Sequence, residues 1–279
     1  MTGLALAFAT KGPWDPHRLL QDLRNAGAGS SSEIHVACEA EHAPDGAPPG
    51  LVVHPRPNAS LFELWGAAIA DTSADWVALL HADATPAQGW FAAMQRAIES
   101  EGWSDGYWGP VEPAFGPSDK RMIGYLTEYC QFHRPLDRAL KEVPGNNLVL
   151  RRRRAGISED FSKTRLLQQG LSPRCVDDAV VLYARPFHFG NYCGRRFRHG
   201  RAYAAARMPR LSRFVAVPMT ALLPFLRTAR VLRHAWRHEL LRGPGLRWLP
   251  AVFAAEICWS AGELAGYLTY RSGEVSALD

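Results

Sequence analysis

Short apolar runs alternating with amphipathic helical segments constrain this chain more than any other feature. Leu4 to Ala9 is an apolar run closed by the turn Lys11-Gly12-Pro13, and Pro16 to Asn25 follows with Leu19, Leu20 and Leu23 on one helical face. Strand then helix opens an α/β unit. Ile34 to Cys38 and Leu51 to Val53 read as the next strands, Leu61 to Ala70 as a helix, and Trp76 to Leu80 as a fourth strand. That order predicts an α/β fold with a mainly parallel sheet and helices on both faces. Ala40 to Gly50 lacks periodicity and reads as a mobile loop, Trp90 to Glu101 as a helix, and residues 103 to 120 as irregular strands and turns.

The formal charge of +5 conceals two unlike halves. Residues 1 to 150 hold 10 Lys+Arg against 18 Asp+Glu, a balance of −8, whereas residues 151 to 279 hold 22 against 9, a balance of +13. The second half therefore seeks anions: nucleotide diphosphates, acidic lipid head groups or nucleic acid. No recognition-module signature accompanies the basic residues, so nucleic acid is not expected. Cys38, Cys130, Cys175, Cys193 and Cys258 lie far apart, which predicts free thiols in a reducing compartment and no zinc site. Leu4 to Phe8 lacks the basic flank of a secretory signal, and a cytoplasmic location is expected.

Three constellations could carry chemistry. The stretch Asp75-Trp76-Val77-Ala78-Leu79-Leu80-His81-Ala82-Asp83-Ala84-Thr85-Pro86 ends a buried strand in a carboxylate, at the place where open α/β sheets bind ligands, although a strand also enters an ordinary turn this way. In Pro144-Gly145-Asn146-Asn147, a flexible glycine precedes two amides able to fix sugar hydroxyls, or the same residues form a turn before the strand Leu148 to Leu150. Glu159-Asp160-Phe161 ahead of a helix from Ser162 to Gln169 supplies either a general base or an acidic pair favoured by the helix dipole. Arg195, Arg196, Arg198, Arg201 and Arg207, interleaved with Phe197, His199 and Tyr203, add a basic cluster suited to diphosphate oxygens. Neither a Walker loop nor a Gly-x-Gly-x-x-Gly follows the first strand.

Taken in order, these landmarks resemble those of inverting family-2 glycosyltransferases, from about Leu4 to Arg207. The resemblance implies a GT-A fold, Rossmann-like, with a C-terminal helical appendage: residues 1–210 as the catalytic domain and 211–279 as a helical region that meets a membrane or a second subunit. It implies a nucleotide-sugar donor, a sugar, lipid or other hydroxyl acceptor, and a divalent cation, Mn²⁺ or Mg²⁺. Asp83 takes the last acidic position of the metal motif and His81 stands where the family has an Asp, which favours Mn²⁺. Thr10, Glu39 (with Glu41 competing), His81, Ala82, Asp83, Asn146, Asn147, Arg196 and Arg201 become donor-binding candidates. Glu159 becomes the catalytic base, with Asp160 next. His81 also leaves open a GT-A-like scaffold without turnover. A nucleotidyltransferase is the weaker third option.

The C-terminal region reads as two helices. In Pro224 to Gly243, Phe225, Ala229, Leu232, Trp236 and Leu240 oppose Arg227, Arg230, His234, Arg237 and His238. In Trp248 to Tyr270, Glu256 and Glu263 interrupt an apolar run. The expectation is a helix pair lying on an anionic membrane surface at the cytoplasmic face, with no run long enough to span it.

Overall fold

The computed structural model describes residues 3–29, 32–82, 84–100, 104–137, 142–152, 171–207 and 213–269. The chain divides into two compact units: Met1–Ala114 with Phe132–Ala184, and Phe115–Gln131 with Arg185–Asp279. The helical unit is thus larger than residues 211–279, because a segment from the middle of the chain and everything from Arg185 join it.

The first unit is built on β1 (Leu4–Thr10), β2 (Ile34–Glu39), β3 (Leu51–Arg56) and β4 (Trp76–His81), all parallel, with β1 between β2 and β4. Buried apolar side chains occupy both faces of β1 and β4, the pattern of strands covered by helices on each side. The sheet continues through β8 (Asn147–Arg151), β6 (Gly106–Trp108) and β9 (Arg174–Cys175) in the order β3-β2-β1-β4-β8-β6-β9. β8 is antiparallel to both β4 and β6, so β4, β6 and β9 point the same way. β5 (Ala84–Pro86), β10 (Val181–Tyr183) and β7 (Val111–Pro113) make a second, three-stranded sheet.

Local chemistry starts the helices where the sequence predicts. Asp15 caps α1 (Pro16–Asn25), accepting from the amides of His17 and Arg18 at 2.9 and 3.1 Å, with Pro16 in the first turn. Ser60 and Glu63 form a reciprocal capping box on α2 (Leu61–Ala70), and such a cap contributes about 1 kcal/mol. Together with α3 (Trp90–Ser100), α1 covers a core that includes Leu6, Phe8, Leu23, Trp76, Leu80, Trp90, Met94, Tyr107 and Val149.

The second unit contains α4 (Met122–Glu128), α5 (Phe189–Arg207), α6 (Arg213–Arg237), a 3-10 turn at Gly243–Trp248 and α7 (Leu249–Thr269). α5 and α7 lie side by side along a glycine seam. A Cβ at Gly262 would lie 1.9 Å from the Phe197 carbonyl oxygen, one at Gly200 would lie 2.0 Å from that of Trp259, and one at Gly266 would meet Arg201 and Ala204 at 2.6 Å. Only glycine allows backbones this close. Glu256 and Glu263 do not interrupt α7. Glu256 is fully buried and receives Arg196 at 2.7 Å and Arg227 at 2.5 Å, while both guanidinium groups lie over the Trp259 ring at 4.4 and 4.1 Å. Glu263 accepts from Trp259 and Tyr267.

Two boundaries of the expected basic helix also move. Pro224 and Pro218 both lie inside α6, which begins at Arg213, so proline at position 224 is not a start signal. The helix stops well before Gly243. Glu239 takes a left-handed φ of 58°, its amide donates to the Trp236 carbonyl at 3.1 Å, and the Leu240 amide donates to that of Ala235 at 2.9 Å. This is the paired bond pattern of a Schellman cap, with a glutamate where glycine is usual. By length and composition, Phe214–Arg237 is long enough and apolar enough to cross a membrane, contrary to the expectation of no such run. All five cysteines are free thiols, as expected.

Candidate functional site

Because β1, β2 and β4 are parallel neighbours, Thr10, Glu39 and His81 end at one edge of the sheet. This is the carboxyl edge, where open α/β sheets place ligands. The register sets Ala9 beside His81 and Thr10 beside Cys38, and the Ala82 amide donates to the Ala9 carbonyl at 3.4 Å. Thr10 and His81 are buried. The Thr10 hydroxyl donates to the Gly12 carbonyl at 3.2 Å, and the Lys11 ammonium lies 3.7 Å from Glu39. Trp65 donates its indole N–H to the Leu80 carbonyl at 2.9 Å, which holds α2 behind the end of β4.

The two asparagines that the sequence groups together have different environments. Leu80 pairs with Asn147 in the antiparallel β4–β8 ladder, so one step further Asn146 falls opposite His81, at the same edge. Among the described residues, the Asn146 Oδ1 is buried and has no hydrogen-bond partner. Such an oxygen loses its hydration without compensation unless a ligand or water donates to it. Asn147, in contrast, is fully engaged inside the fold. It accepts from Trp90 Nε1 at 3.0 Å and donates to the carbonyls of Pro110 and Ala179 at 2.9 and 2.8 Å. Gly109 beside it has no room for a Cβ, which would lie 1.9 Å from the Ala179 oxygen. The expectation that Asn147 fixes a sugar hydroxyl is therefore corrected: its carboxamide ties α3, β8 and two loops together.

Arg196 needs the same correction. It belongs to the helical unit, is buried, and is neutralised by Glu256, so it is not available to a diphosphate. Arg201 also belongs to that unit and is exposed on α5. Glu128 pairs with Arg195 at 3.1 Å, and despite burial the arginines around Glu128 hold its carboxyl below the usual range. Asp83, Glu159 and Asp160 lie outside the described residues.

Two features of the sheet unit escaped the sequence reading. Glu39, Glu41 and His42, at the end of β2 and in the 3-10 turn after it, bring one carboxylate oxygen each and one imidazole nitrogen within 4.8 Å of one another. Mixed oxygen and nitrogen donors of this kind suit a divalent transition ion such as Mn²⁺. The second is a cleft of about 960 Å³ lined by Trp108, Glu112, Arg134, Asp137, Cys175 and Asp177, among others. Trp108 and Cys175 end β6 and β9, which run parallel to β4, so the cleft opens at the same edge as Thr10, Glu39 and His81. Arg134 holds Glu112 through two bonds of 2.6 and 3.1 Å, and Asp137 and Asp177 add two more carboxylates to the cleft wall. Partial burial, with Asp177 beside it, pushes the thiol of Cys175 up to about 12, so it is protonated near neutrality. A smaller hollow at Gly3, Glu33 and Asp75 lies at the opposite edge, where β1 and β4 begin. The cleft walls come from segments far apart in the sequence, beyond the reach of any local pattern.

No protein-family model matches the chain, and no curated protein sequence does. Its fold does have solved counterparts. One is the mannosyltransferase PcManGT from Pyrobaculum calidifontis, solved in complex with GDP-Man and Mn²⁺, which superposes with a TM-score of 0.54 over 94% of this chain and 86% of that one at 15% identity. This chain therefore shares its fold, a mainly parallel Rossmann-like sheet followed by helices, with a glycosyltransferase.

Proposed function

We propose that this chain is an inverting glycosyltransferase that moves a sugar from a nucleotide-sugar donor to an acceptor hydroxyl, on a lipid-linked or otherwise hydrophobic acceptor at the cytoplasmic membrane face. The observation that carries the reading is the carboxyl edge of the sheet, where Thr10, Glu39, His81 and the buried, unsatisfied Asn146 oxygen converge. Support comes from the fold held in common with a mannosyltransferase that binds GDP-Man and Mn²⁺.

The donor lies across the ends of β1, β2 and β4, with Glu39 toward the nucleoside and a sugar hydroxyl donating to Asn146. The acceptor enters the cleft, where the Trp108 indole offers an apolar face and Asp137 and Asp177 accept from hydroxyls. Glu159, assigned from the sequence, takes the proton from the acceptor hydroxyl as its oxygen attacks the anomeric carbon. The bond to the nucleotide diphosphate breaks on the opposite face, and the diphosphate leaves with the electron pair. A divalent cation would be held by His81 and Asp83, or by Glu39, Glu41 and His42, and would supply positive charge to the departing diphosphate.

The test is turnover of a panel of nucleotide sugars with and without Mn²⁺, with the anomeric configuration of the product read by NMR. Inversion is expected. Glu159→Gln should lower turnover by about 10²-fold or more with donor affinity retained, in line with general-base assistance of about 10² to 10⁴. Retention of configuration, or undiminished turnover in Glu159→Gln, would reject this mechanism.

A further inference from the structure

The outward side of α6 is apolar along most of its length. Phe214, Val215, Met219, Leu222, Phe225 and Leu226 are all exposed, and with about 3.6 residues per turn they fall on one half of the helix. Phe214 is 93% exposed, Leu222 60% and Phe225 63%. No polar side chain shares that face until Arg230, after which Arg233, Trp236 and Arg237 follow on it. The opposite half carries Ala216, Thr220, Pro224, Val231, His234 and Ala235, which are buried within the helical unit. A face that met only water would not stay apolar over about four turns, and contiguous exposed apolar surface of this extent marks an interaction site.

We propose that this face of α6 docks on a bilayer that carries anionic headgroups, with its Phe214 end deeper and its arginine end at headgroup level. The proposal rests on the preceding reading for its purpose, and on α6 alone for its physics. Charge complementarity selects the partner: Arg230, Arg233 and Arg237 surround Trp236, and an indole among basic groups matches the border between hydrocarbon and anionic headgroups. Two observations argue for lying in the interface over crossing it. The apolar face, from Phe214 to Ala229, is about 22 Å long at about 1.5 Å per residue, short of the roughly 30 Å hydrocarbon core. On the other side of the same helix, Arg227 is tied to the buried Glu256 of α7, and a crossing would carry that ion cluster into lipid. α7 drops out of the expected lipid-facing pair, because its Glu256 and Glu263 are held inside the unit.

Co-sedimentation of the full chain with vesicles tests this. Binding is expected with phosphatidylglycerol-containing vesicles, should weaken as salt rises, and should be far weaker with phosphatidylcholine alone. Combining Arg233→Ala with Arg237→Ala should weaken binding by about 30-fold, two basic groups at about 1 kcal/mol each. Combining Leu222→Asp with Leu226→Asp should abolish binding with the melting temperature retained, since both side chains are more than half exposed. Equal pelleting with both vesicle types, or none with either, overturns the proposal. So does a dimer that Leu222→Asp with Leu226→Asp dissociates in a protein that ignores vesicles, since that would make the face a contact between copies. Donor turnover on a soluble acceptor, measured without vesicles, separates failure of this proposal from failure of the transferase reading.

Discussion

Asn146 and Asn147 are adjacent and chemically identical, yet the β8 register sends one to the edge of the sheet and the other into the interior. Their substitutions should therefore separate stability from binding. Asn147→Ala strands the Trp90 indole N–H and the Ala179 carbonyl, while the Pro110 carbonyl keeps the Val181 amide at 3.0 Å, and unsatisfied buried groups cost about 1–3 kcal/mol each. Urea unfolding should show a loss of at least about 2 kcal/mol. Asn146→Ala removes an oxygen that is already unsatisfied in the folded protein, so stability should hold or rise while nucleotide-sugar affinity falls. Equal stability losses in the two variants would contradict this division of labour.

At the scale of elements, the first four strands and α1 to α3 were legible because apolar runs mark the strands and local chemistry starts the helices: Asp15 and Pro16 start α1, and the Ser60–Glu63 box starts α2. The ends of the basic helix were not. Pro224 looks like a first-turn proline, but α6 runs through both it and Pro218, with Ala216, Thr220 and Pro224 on its packed side, so burial outweighs the missing donors. Gly243 looks like the cap, but Glu239 performs that role just past Arg237, the last residue of α6. A left-handed residue other than glycine costs about 1 kcal/mol. Glu239→Gly should then stabilise the helical unit by about 0.5–1 kcal/mol, less the small worth of the exposed Arg242 ion pair, as read from denaturant midpoints. A destabilised Glu239→Gly would mean that the side chain contributes more than its backbone costs. The glutamates of α7 were misread because the groups that satisfy them are not local: Arg196 and Arg227, the partners of Glu256, lie on α5 and α6, 60 and 29 residues away.

Over the whole molecule, the division of charge seen in the sequence takes on a structural form. The acidic half supplies most of the unit whose parallel strands end at Thr10, Glu39 and His81, and the basic half supplies most of the helical unit. The arginines of that half do not act alike. Arg196 and Arg227 neutralise a buried carboxylate, whereas Arg233 and Arg237 remain at the surface. A count of charges distinguishes the halves, but only tertiary packing separates the arginine that stabilises from the arginine that attracts. The same limit applies to the candidate site: the ends of β1, β2 and β4 could be read from strand patterns, while the cleft at Trp108 arises only when β6 and β9 come together.

A nucleotide-sugar site at the carboxyl edge of the sheet should show itself when the protein is melted with a panel of nucleoside diphosphates, each with and without Mn²⁺. A ligand that binds only the native state stabilises it by about 2.7 kcal/mol at about a hundred times its dissociation constant. At least one diphosphate should raise the melting temperature, Mn²⁺ should enlarge the shift, and His81→Ala should reduce the enlargement. Melting curves unmoved by every diphosphate at millimolar concentration, with or without Mn²⁺, would contradict it.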